Sequence, residues 1–317
     1  MTLNYDILSS AERIILGLRA LYLRHGYTQY RMGKFEEYDL YAKNRDFLIS
    51  DNIITFTDTN GRLMALKPDV TLSIVKNQRD DPEGLLKLCY NENVYRVSRG
   101  TGCFREILQA GVECIGSVDS AVVGETLLLA AESLRLCDAD FALELSHLDI
   151  LRRFVNEFSP DAPVRREALK CVSGRNLHGL AGLAGETGVP EERAAALGEL
   201  MRVYGPAGEA LPRLEGLCAG RGLGAELEEL RAAVSAFSGS GMESRVRLDF
   251  SAVSNMNYYN GILFAGFLNG IPGSVLTGGQ YDRLMRKMGR RSRAVGFAVY
   301  LDQLERLTPG RDGDALC

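Results

Sequence analysis

The sequence predicts an α+β fold, in which an antiparallel sheet flanked by helices is interrupted by a helical insertion. Strand-forming residues occupy two blocks, 53–115 and 246–299, and the stretch 159–237 between them is rich in Ala, Leu, Glu, Arg and Gly in short helical patterns. Segregated blocks of this kind are typical of an α+β domain. The predicted segments are a core at 1–158 and 241–307, a helical insertion at 159–240, and a polar tail at 308–317.

The first element is a predicted amphipathic helix. Ser9 and Glu12 have the spacing of a capping box, in which each side chain accepts a hydrogen bond from the backbone N–H of the other residue. Apolar residues then recur at helical intervals from Ile14 to Leu23, and Gly26 provides a stop signal.

Two β-hairpins are predicted next. The first turns at Asn60 and Gly61, because both residues tolerate the positive φ of a tight turn. The second has a long glycine-containing loop at 98–105. The predicted strands of the two hairpins are 53–57, 62–66, 86–95 and 107–115.

Later elements follow the same patterns. Helical stretches are expected at 191–203 and 224–237, within the insertion. Strands are expected at 246–250, 262–268 and 295–299, and a short helix follows to Leu307.

Composition and charge exclude several kinds of partner. A net charge of −4 gives no general attraction for a polyanion, so nucleic acid is not an expected partner. No run approaches the roughly 20 apolar residues of a membrane span, and the amino terminus lacks a basic segment followed by an apolar one. We therefore expect no membrane contact and a cytoplasmic location. The seven cysteines form no C-x-x-C pair and only three histidines accompany them, so we expect no metal and no other cofactor.

Several polar and aromatic residues could be structural or could bind a ligand. Gln109 and Glu113 fall on one face of a predicted strand, since their separation is even, and such residues usually face solvent. Tyr258 and Tyr259 would ordinarily pack within a sheet. Asp69, which follows a proline, would ordinarily be a turn residue.

A resemblance to a known family favours ligand binding. The segments that carry it are 66–71, 95–98, 105–113, 258–261, 278–282 and 296–304. In order, spacing and residue type they resemble the catalytic core of the histidyl-tRNA synthetases. The resemblance implies a class II aminoacyl-tRNA synthetase-like antiparallel sheet flanked by helices.

The resemblance also implies a pocket for free histidine. Its ammonium group needs carboxylate and amide oxygens, and its imidazole needs polar partners. Carried over by position, Asp69, Gln109 and Glu113 would face the ammonium or carboxylate, and Tyr258, Tyr259 and Tyr281 would line the side-chain pocket. Arg96, in the place of an arginine that contacts the α-phosphate of ATP, completes the predicted histidine-binding residues.

The nucleotide half of such a site departs from the family pattern. Ser98 replaces a glutamate, Ser254 and Gln303 replace arginines, and Tyr300 replaces a glycine. Charge moving onto phosphate is stabilised mainly by positioned cations, so the loss of two arginines should abolish adenylation. We therefore expect no catalytic residues.

This combination of losses and retentions resembles a second family, the regulatory subunits of short-form ATP phosphoribosyltransferase. Asp69 and the segment 144–151 are similar to that family, although Lys67 stands where arginine is usual and Gly33 replaces a proline in the dimer-forming motif. The resemblance implies a non-catalytic subunit of histidine biosynthesis that forms a homodimer, joins a catalytic phosphoribosyltransferase subunit in a hetero-oligomer, and binds histidine as a feedback ligand.

Two alternatives belong to other classes of protein. One is a working ligase that adenylates histidine, and the other is a free-standing amino-acid sensor with a different partner. Within the regulatory hypothesis, histidine could bind the synthetase-like pocket or the interface with the catalytic subunit.

Overall fold

The computed structural model describes residues 8–45, 48, 53–98, 102–253 and 258–304. It divides into two compact units. The first comprises Met1–Val118, Leu129–Phe141 and Gly266–Cys317, and the second comprises Asp119–Leu128 and Ala142–Ala265. The predicted boundaries at 158, 240 and 307 are drawn differently from these units and remain a prediction. The predicted tail lies outside the described residues.

The described residues of the first unit form both helices and strands. Its helices are α1 (Ser10–Arg24), α2 (Tyr38–Ala42), α3 (Val70–Asn77), the second half of α4 (Ser120–Cys137), α11 (Asp282–Lys287) and α12 (Leu301–Leu304). Its strands are β1 (Thr28–Gln29), β2 (Phe35–Glu37), β3 (Thr55–Thr57), β4 (Leu63–Leu66), β5 (Leu85–Val97), β6 (Phe104–Gly116), β11 (Leu276–Gln280) and β12 (Arg293–Tyr300), beside which lie the last three residues of β10 (Asn260–Leu268).

Helix α1 begins as the capping box predicts. The Ser9 Oγ accepts the N–H of Glu12 at 3.2 Å, and the Glu12 carboxylate accepts the N–H of Ser9 at 2.8 Å. Leu18, Leu21 and Tyr22 form its buried face, and the ring of Tyr22 packs edge-on against Phe297 at 6.0 Å. The helix ends at Arg24, just before Gly26, whose φ of +80° suits glycine.

Both predicted hairpins are confirmed. Strands β3 and β4 pair antiparallel around the Asn60-Gly61 turn, where the φ of Gly61 is +80°. The Asp58 carboxylate accepts the N–H groups of Asn60 and Arg62, each at 2.8 Å, and so fixes the turn. The second hairpin consists of β5 and β6, which are longer than predicted because their pairing continues to Val97↔Phe104.

The main sheet of the first unit places β5, β6, β12 and β11 side by side in that order. These four strands are antiparallel, and β1 joins the edge of β5 in parallel orientation. The segment before Tyr281 is therefore a strand, β11, which the pattern analysis did not predict. Its Thr277-Gly278-Gly279-Gln280 sequence has little strand propensity, and pairing with β12 imposes the extended form.

The second unit contains the helices of the predicted insertion. Its helices are the first half of α4, α5 (Leu148–Phe158), α6 (Ala162–Ser173), α7 (Leu177–Thr187), α8 (Glu191–Met201), α9 (Ala207–Cys218) and α10 (Gly224–Ser235). Its strands follow the order β10, β7 (Phe141–His147), β9 (Val246–Asp249) and β8 (Tyr204–Pro206). The predicted helices at 191–203 and 224–237 are confirmed by α8 and α10. Strands β7 and β9 run parallel, so the strands of this unit are not all antiparallel.

Two negative findings apply to the residues that the structure describes. None of their helices is long and apolar enough to cross a membrane. No group of three or more His, Cys, Asp or Glu side chains among them is arranged to hold a metal ion.

Candidate functional site

Glu113 lies at the centre of the polar cluster in the first unit. Its side chain on β6 is 2% exposed, and each carboxyl oxygen accepts a hydroxyl hydrogen bond of 2.6 Å. The donors are Thr71 on α3 and Tyr281, which immediately precedes α11. Three separate elements therefore meet at one carboxyl group, and a residue that the pattern alone would place in solvent is buried.

Glycines next to Glu113 leave space on the sheet for its side chain. Gly111 lies two residues before Glu113 on β6, and Gly296 is its direct partner on β12. A Cβ at Gly296 would overlap the Glu113 carboxylate, and a Cβ at Gly111 would overlap the Tyr90 hydroxyl. The Glu113 carboxylate and the Tyr90 hydroxyl lie directly against the backbone of these two glycines. Glycine is therefore required here because a side chain would not fit, and not because of an unusual backbone φ.

Asp69 is buried close to this centre and caps α3. Its carboxylate accepts the N–H of Leu72 at 2.9 Å, so the predicted turn residue is the N-cap of a helix. Burial raises the pKa of Asp69, against the opposing effects of the Leu72 hydrogen bond and the nearby Arg96 charge. Burial also raises the pKa of Glu113 to about 8, and the charge of Asp69 adds to that rise.

Gln109 occupies the same face of β6 as Glu113, as predicted, and is 3% exposed. Its cross-strand partners are Glu92 on β5 and Tyr300 on β12. Glu92 accepts a 2.9 Å hydrogen bond from Lys67, which is completely buried. The lysine that replaces the family's arginine thus forms an ion pair beside Gln109.

Tyr300 stands at the position where the sequence resemblance predicts a glycine. Its hydroxyl is hydrogen-bonded to the Thr277 hydroxyl at 2.6 Å, across from β12 to β11. The direct pairing of Tyr300 with Gln109 puts the phenol on the face of the sheet that carries Glu113. A bulky side chain therefore stands beside the predicted amino-acid site.

Arg96 is also on this face of the sheet, at the far end of β5. Its Nε donates to the Pro68 carbonyl at 3.1 Å, immediately before Asp69. Directly across the hairpin, Arg105 forms an ion pair of 3.5 Å with Asp302. The amide oxygen of the adjacent Gln303 is buried and has no hydrogen-bond partner among the described residues. Ser254, the other predicted arginine replacement, lies outside them.

Tyr258 and Tyr259 belong to the second unit, whereas the other five predicted site residues belong to the first. Tyr258 is buried, and the two rings contact each other edge-to-face with centroids 4.6 Å apart. The structure brings Asp69, Glu113 and Tyr281 together within the first unit. The assignment of the two tyrosines of the second unit to the same pocket remains a prediction.

Some members of the cluster were missed by sequence reasoning. Thr71 lies within the motif at 66–71 but is not among the predicted site residues, although its hydroxyl donates a hydrogen bond to Glu113. Glu92 is not among the predicted site residues either, although its carboxylate pairs with Lys67 and it lies directly across the strand pair from Gln109. An even spacing along a strand identifies residues that share a face, but it cannot identify partners contributed by another strand or helix.

The arrangement is suited to an organic cation. Two buried carboxyl groups with raised pKa values bind a positive charge more favourably than an anion. An ammonium group offers three hydrogen-bond donors that carboxylate and amide oxygens can accept. The phosphates of a nucleoside triphosphate would need cationic side chains rather than carboxylates. The positions expected to supply those cations carry Gln303 and Ser254.

Comparison with known proteins identifies the family of this chain. Residues 7–304 match the family profile described as histidyl-tRNA synthetase. An ATP phosphoribosyltransferase regulatory subunit of Caldanaerobacter subterraneus subsp. tengcongensis is 31% identical over 296 residues, which cover 90% of this chain and 75% of the relative.

Two solved structures share the fold. One is described as an ATP phosphoribosyltransferase regulatory subunit/histidyl-tRNA synthetase from Bacillus halodurans, with a TM-score of 0.82, 23% identity, and coverage of 96% of this chain and 80% of that chain. The other is an ATP phosphoribosyl transferase (HisG:HisZ) complex from Thermotoga maritima, with a TM-score of 0.73, 16% identity, and coverage of 92% and 97%. At these identities the likeness establishes the fold, and the predicted α+β synthetase-like class is confirmed.

Proposed function

Because this chain belongs to the histidyl-tRNA synthetase family and, within it, to the ATP phosphoribosyltransferase regulatory subunits, we propose that it activates a separate catalytic subunit and carries the histidine feedback signal of histidine biosynthesis. The chain itself is a non-catalytic regulatory subunit. Its place is in the cytoplasm, as a homodimer within a hetero-oligomer that contains the catalytic phosphoribosyltransferase subunit. The complex from Thermotoga maritima supports a partnership of this kind.

The observation that carries the histidine proposal is the buried pair of carboxyl groups, Asp69 and Glu113. Burying two carboxyl groups costs free energy, which the Arg96 charge near Asp69 offsets only in part, and a bound ammonium group would offset it further. The hydroxyl groups of Thr71 and Tyr281 hold Glu113 in one orientation before any ligand arrives. Such preorganisation favours specific binding of a small amino acid.

Feedback requires a difference in affinity between two states of the assembly. A ligand with equal affinity for both states shifts nothing, however tightly it binds. We place the feedback signal in the Glu113 pocket, so that histidine binds the less active state of the hetero-oligomer more tightly. Asp69 caps α3, so histidine bound at Asp69 would alter the interactions at the start of that helix. A catalytic subunit in contact with the helix would respond to that change.

The test of this function is the activity of the short catalytic subunit from the same organism, measured with and without the purified chain. We expect phosphoribosyltransferase activity to rise by about tenfold or more when the chain is added, as is typical of coupling between subunits. We also expect L-histidine to inhibit the complex. Unchanged activity, together with separate elution of the two proteins from a sizing column, would rule out the regulatory role.

The affinity for histidine should depend on pH, because Glu113 has a raised pKa. With a pKa of about 8, this carboxyl group is mostly protonated at pH 6.5 in the free protein, and binding of an ammonium group requires its ionised form. The ionised fraction falls from about one half at pH 8 to about 3% at pH 6.5, so lowering the pH across this range should weaken binding by about 15-fold. Calorimetry in buffers of different ionisation enthalpy should show release of about one proton at pH 7, and no release would refute this protonation state.

A further inference from the structure

Two carboxyl groups meet on one face of the sheet in the second unit. Glu144 on β7 is paired in register with Arg247 on β9, so the side chains of Glu144, Arg247 and Asp249 share that face. Asp249 is buried, and its carboxyl group lies within hydrogen-bonding reach of Glu144. Two carboxyl groups can form a hydrogen bond with each other only when one of them holds a proton.

Asp249 is the member of the pair that stays ionised. Its Oδ1 accepts the N–H of Ser251 at 2.9 Å, and its Oδ2 accepts the Ser251 hydroxyl, also at 2.9 Å. The guanidinium group of Arg175 donates to Oδ2 as well. Donors of this kind favour the charged form of a carboxyl group, so the shared proton belongs to Glu144.

Arg175 connects this pair to the helices of the same unit. It lies in the turn between α6 and α7 and has a φ of +50°, a left-handed conformation that residues with a side chain rarely adopt. Such a conformation persists only where surrounding contacts stabilise it. The contacts here are the bond to Asp249 and the Tyr204 ring, whose centroid lies 4.2 Å from the guanidinium carbon. The turn therefore depends on the charge of the acidic pair.

The titratable and charged groups around Glu144 come from three elements. Arg247 and Asp249 belong to β9, Arg175 belongs to the α6–α7 turn, and Tyr204 on β8 is the cross-strand partner of Asp249. Strand β10, the other neighbour of β7, contains no titratable residue. Burial raises the pKa of Glu144 to about 7, the charge of Asp249 adds to that rise, and the two arginines oppose it. Glu144 therefore gains or loses its proton near neutral pH.

We propose that Glu144 and Asp249 form a pH-sensitive switch, in which loss of the shared proton draws Arg175 away from Asp249 and loosens the turn between α6 and α7. While the proton is present, Asp249 alone binds the guanidinium group. Once Glu144 is ionised, two carboxylates compete for Arg175 and repel each other across β7 and β9. This switch lies within the second unit and is independent of the Glu113 pocket.

The stability of the protein should depend on this proton with a defined sign. Folding raises the pKa of Glu144 from 4.5 to about 7, so unfolding becomes more favourable as the pH rises through that range. From pH 5 to pH 8 the unfolding equilibrium constant of wild type, relative to that of Glu144→Gln, should rise by about 70-fold without solvent screening and by at least about tenfold with it. Urea denaturation at each pH measures this ratio. Glu199→Gln is the control, because Glu199 lies on α8 of the same unit and is half exposed, and it should behave as wild type.

Two further measurements decide whether the proton moves the turn. Carbon-detected NMR of the carboxyl groups should show Glu144 titrating near pH 7, and Arg175→Gln should move that titration to higher pH because a positive charge is lost. The amides of Arg175 and Asn176 donate to the carbonyls of Val172 and Cys171 at 3.0 and 2.8 Å. After correction for the intrinsic effect of pH, their hydrogen exchange should accelerate above pH 7 in wild type but not in Glu144→Gln.

Two results would overturn the inference. Titration of Glu144 near pH 4.5 would show that the pair shares no proton at neutral pH. Titration near pH 7, with the same exchange of the turn amides in wild type and Glu144→Gln, would show that the proton does not control the turn. Either result leaves the proposed function intact, because activation of the catalytic subunit and histidine binding are measured separately.

Discussion

The substitution Glu113→Gln is expected to weaken L-histidine binding by about 100-fold or more and to release the complex from histidine inhibition. Leaving a buried charge without its partner costs about 3–5 kcal/mol, and each 1.4 kcal/mol is a factor of ten in affinity. Glutamine has nearly the same shape as the protonated glutamic acid of the free protein. The Thr71 and Tyr281 hydroxyls can still hydrogen-bond to it, so the fold should be retained.

A control for this substitution lies on the same strand. Glu106 on β6 is exposed and accepts a 3.0 Å hydrogen bond from Tyr95. Glu106→Gln removes the same charge outside the pocket and should leave both histidine binding and feedback unchanged. If Glu113→Gln binds histidine within about threefold of wild type while its melting temperature is unchanged, the ammonium does not bind at this carboxylate.

The purified chain is expected to catalyse histidine-dependent pyrophosphate exchange at least about 10⁴-fold more slowly than a working histidyl-tRNA synthetase. Each missing charge stabiliser typically costs about 10² to 10³ in rate, and phosphate-clamping arginines cost more. Gln303 and Ser254 replace two such arginines. Arg105 is engaged with Asp302 at 3.5 Å, and Tyr300 occupies space beside Gln109, so neither the charge nor the room for the nucleotide is restored.

The exchange assay needs a positive control and a test of folding. A synthetase assayed in the same buffer establishes the detection limit, and histidine binding by calorimetry shows that the chain is folded when exchange is measured. Exchange within about 100-fold of the synthetase would mean that other side chains supply the missing charge. The chain would then be an adenylating ligase rather than a regulatory subunit.

The features that the sequence predicted well are those decided by neighbouring residues. The capping box of Ser9 and Glu12 and the Asn60-Gly61 turn depend on contacts within four residues, so their geometry is encoded locally. The order of short motifs, compared with a known family, then predicted the fold class. Periodicity alone would have given only an α+β domain with a helical insertion.

The features that were missed depend on distant parts of the chain. Strand β11 contains two glycines and is extended because it pairs with β12. The burial of Glu113 depends on Thr71, 42 residues earlier, and on Tyr281, 168 residues later. The alternation of residues along one strand contains no information about partners on other elements. It therefore predicted that Glu113 would face solvent.

The hydroxyl pair of Tyr300 and Thr277 means that no single substitution at position 303 would restore a nucleotide site. An arginine at position 303 would restore one guanidinium group, but the phenol would still stand beside Gln109. A glycine at position 300 would reopen that space, yet it would leave the triphosphate without its cation. Neither change alone would create a working nucleotide site, so adenylation would require both substitutions in the same chain.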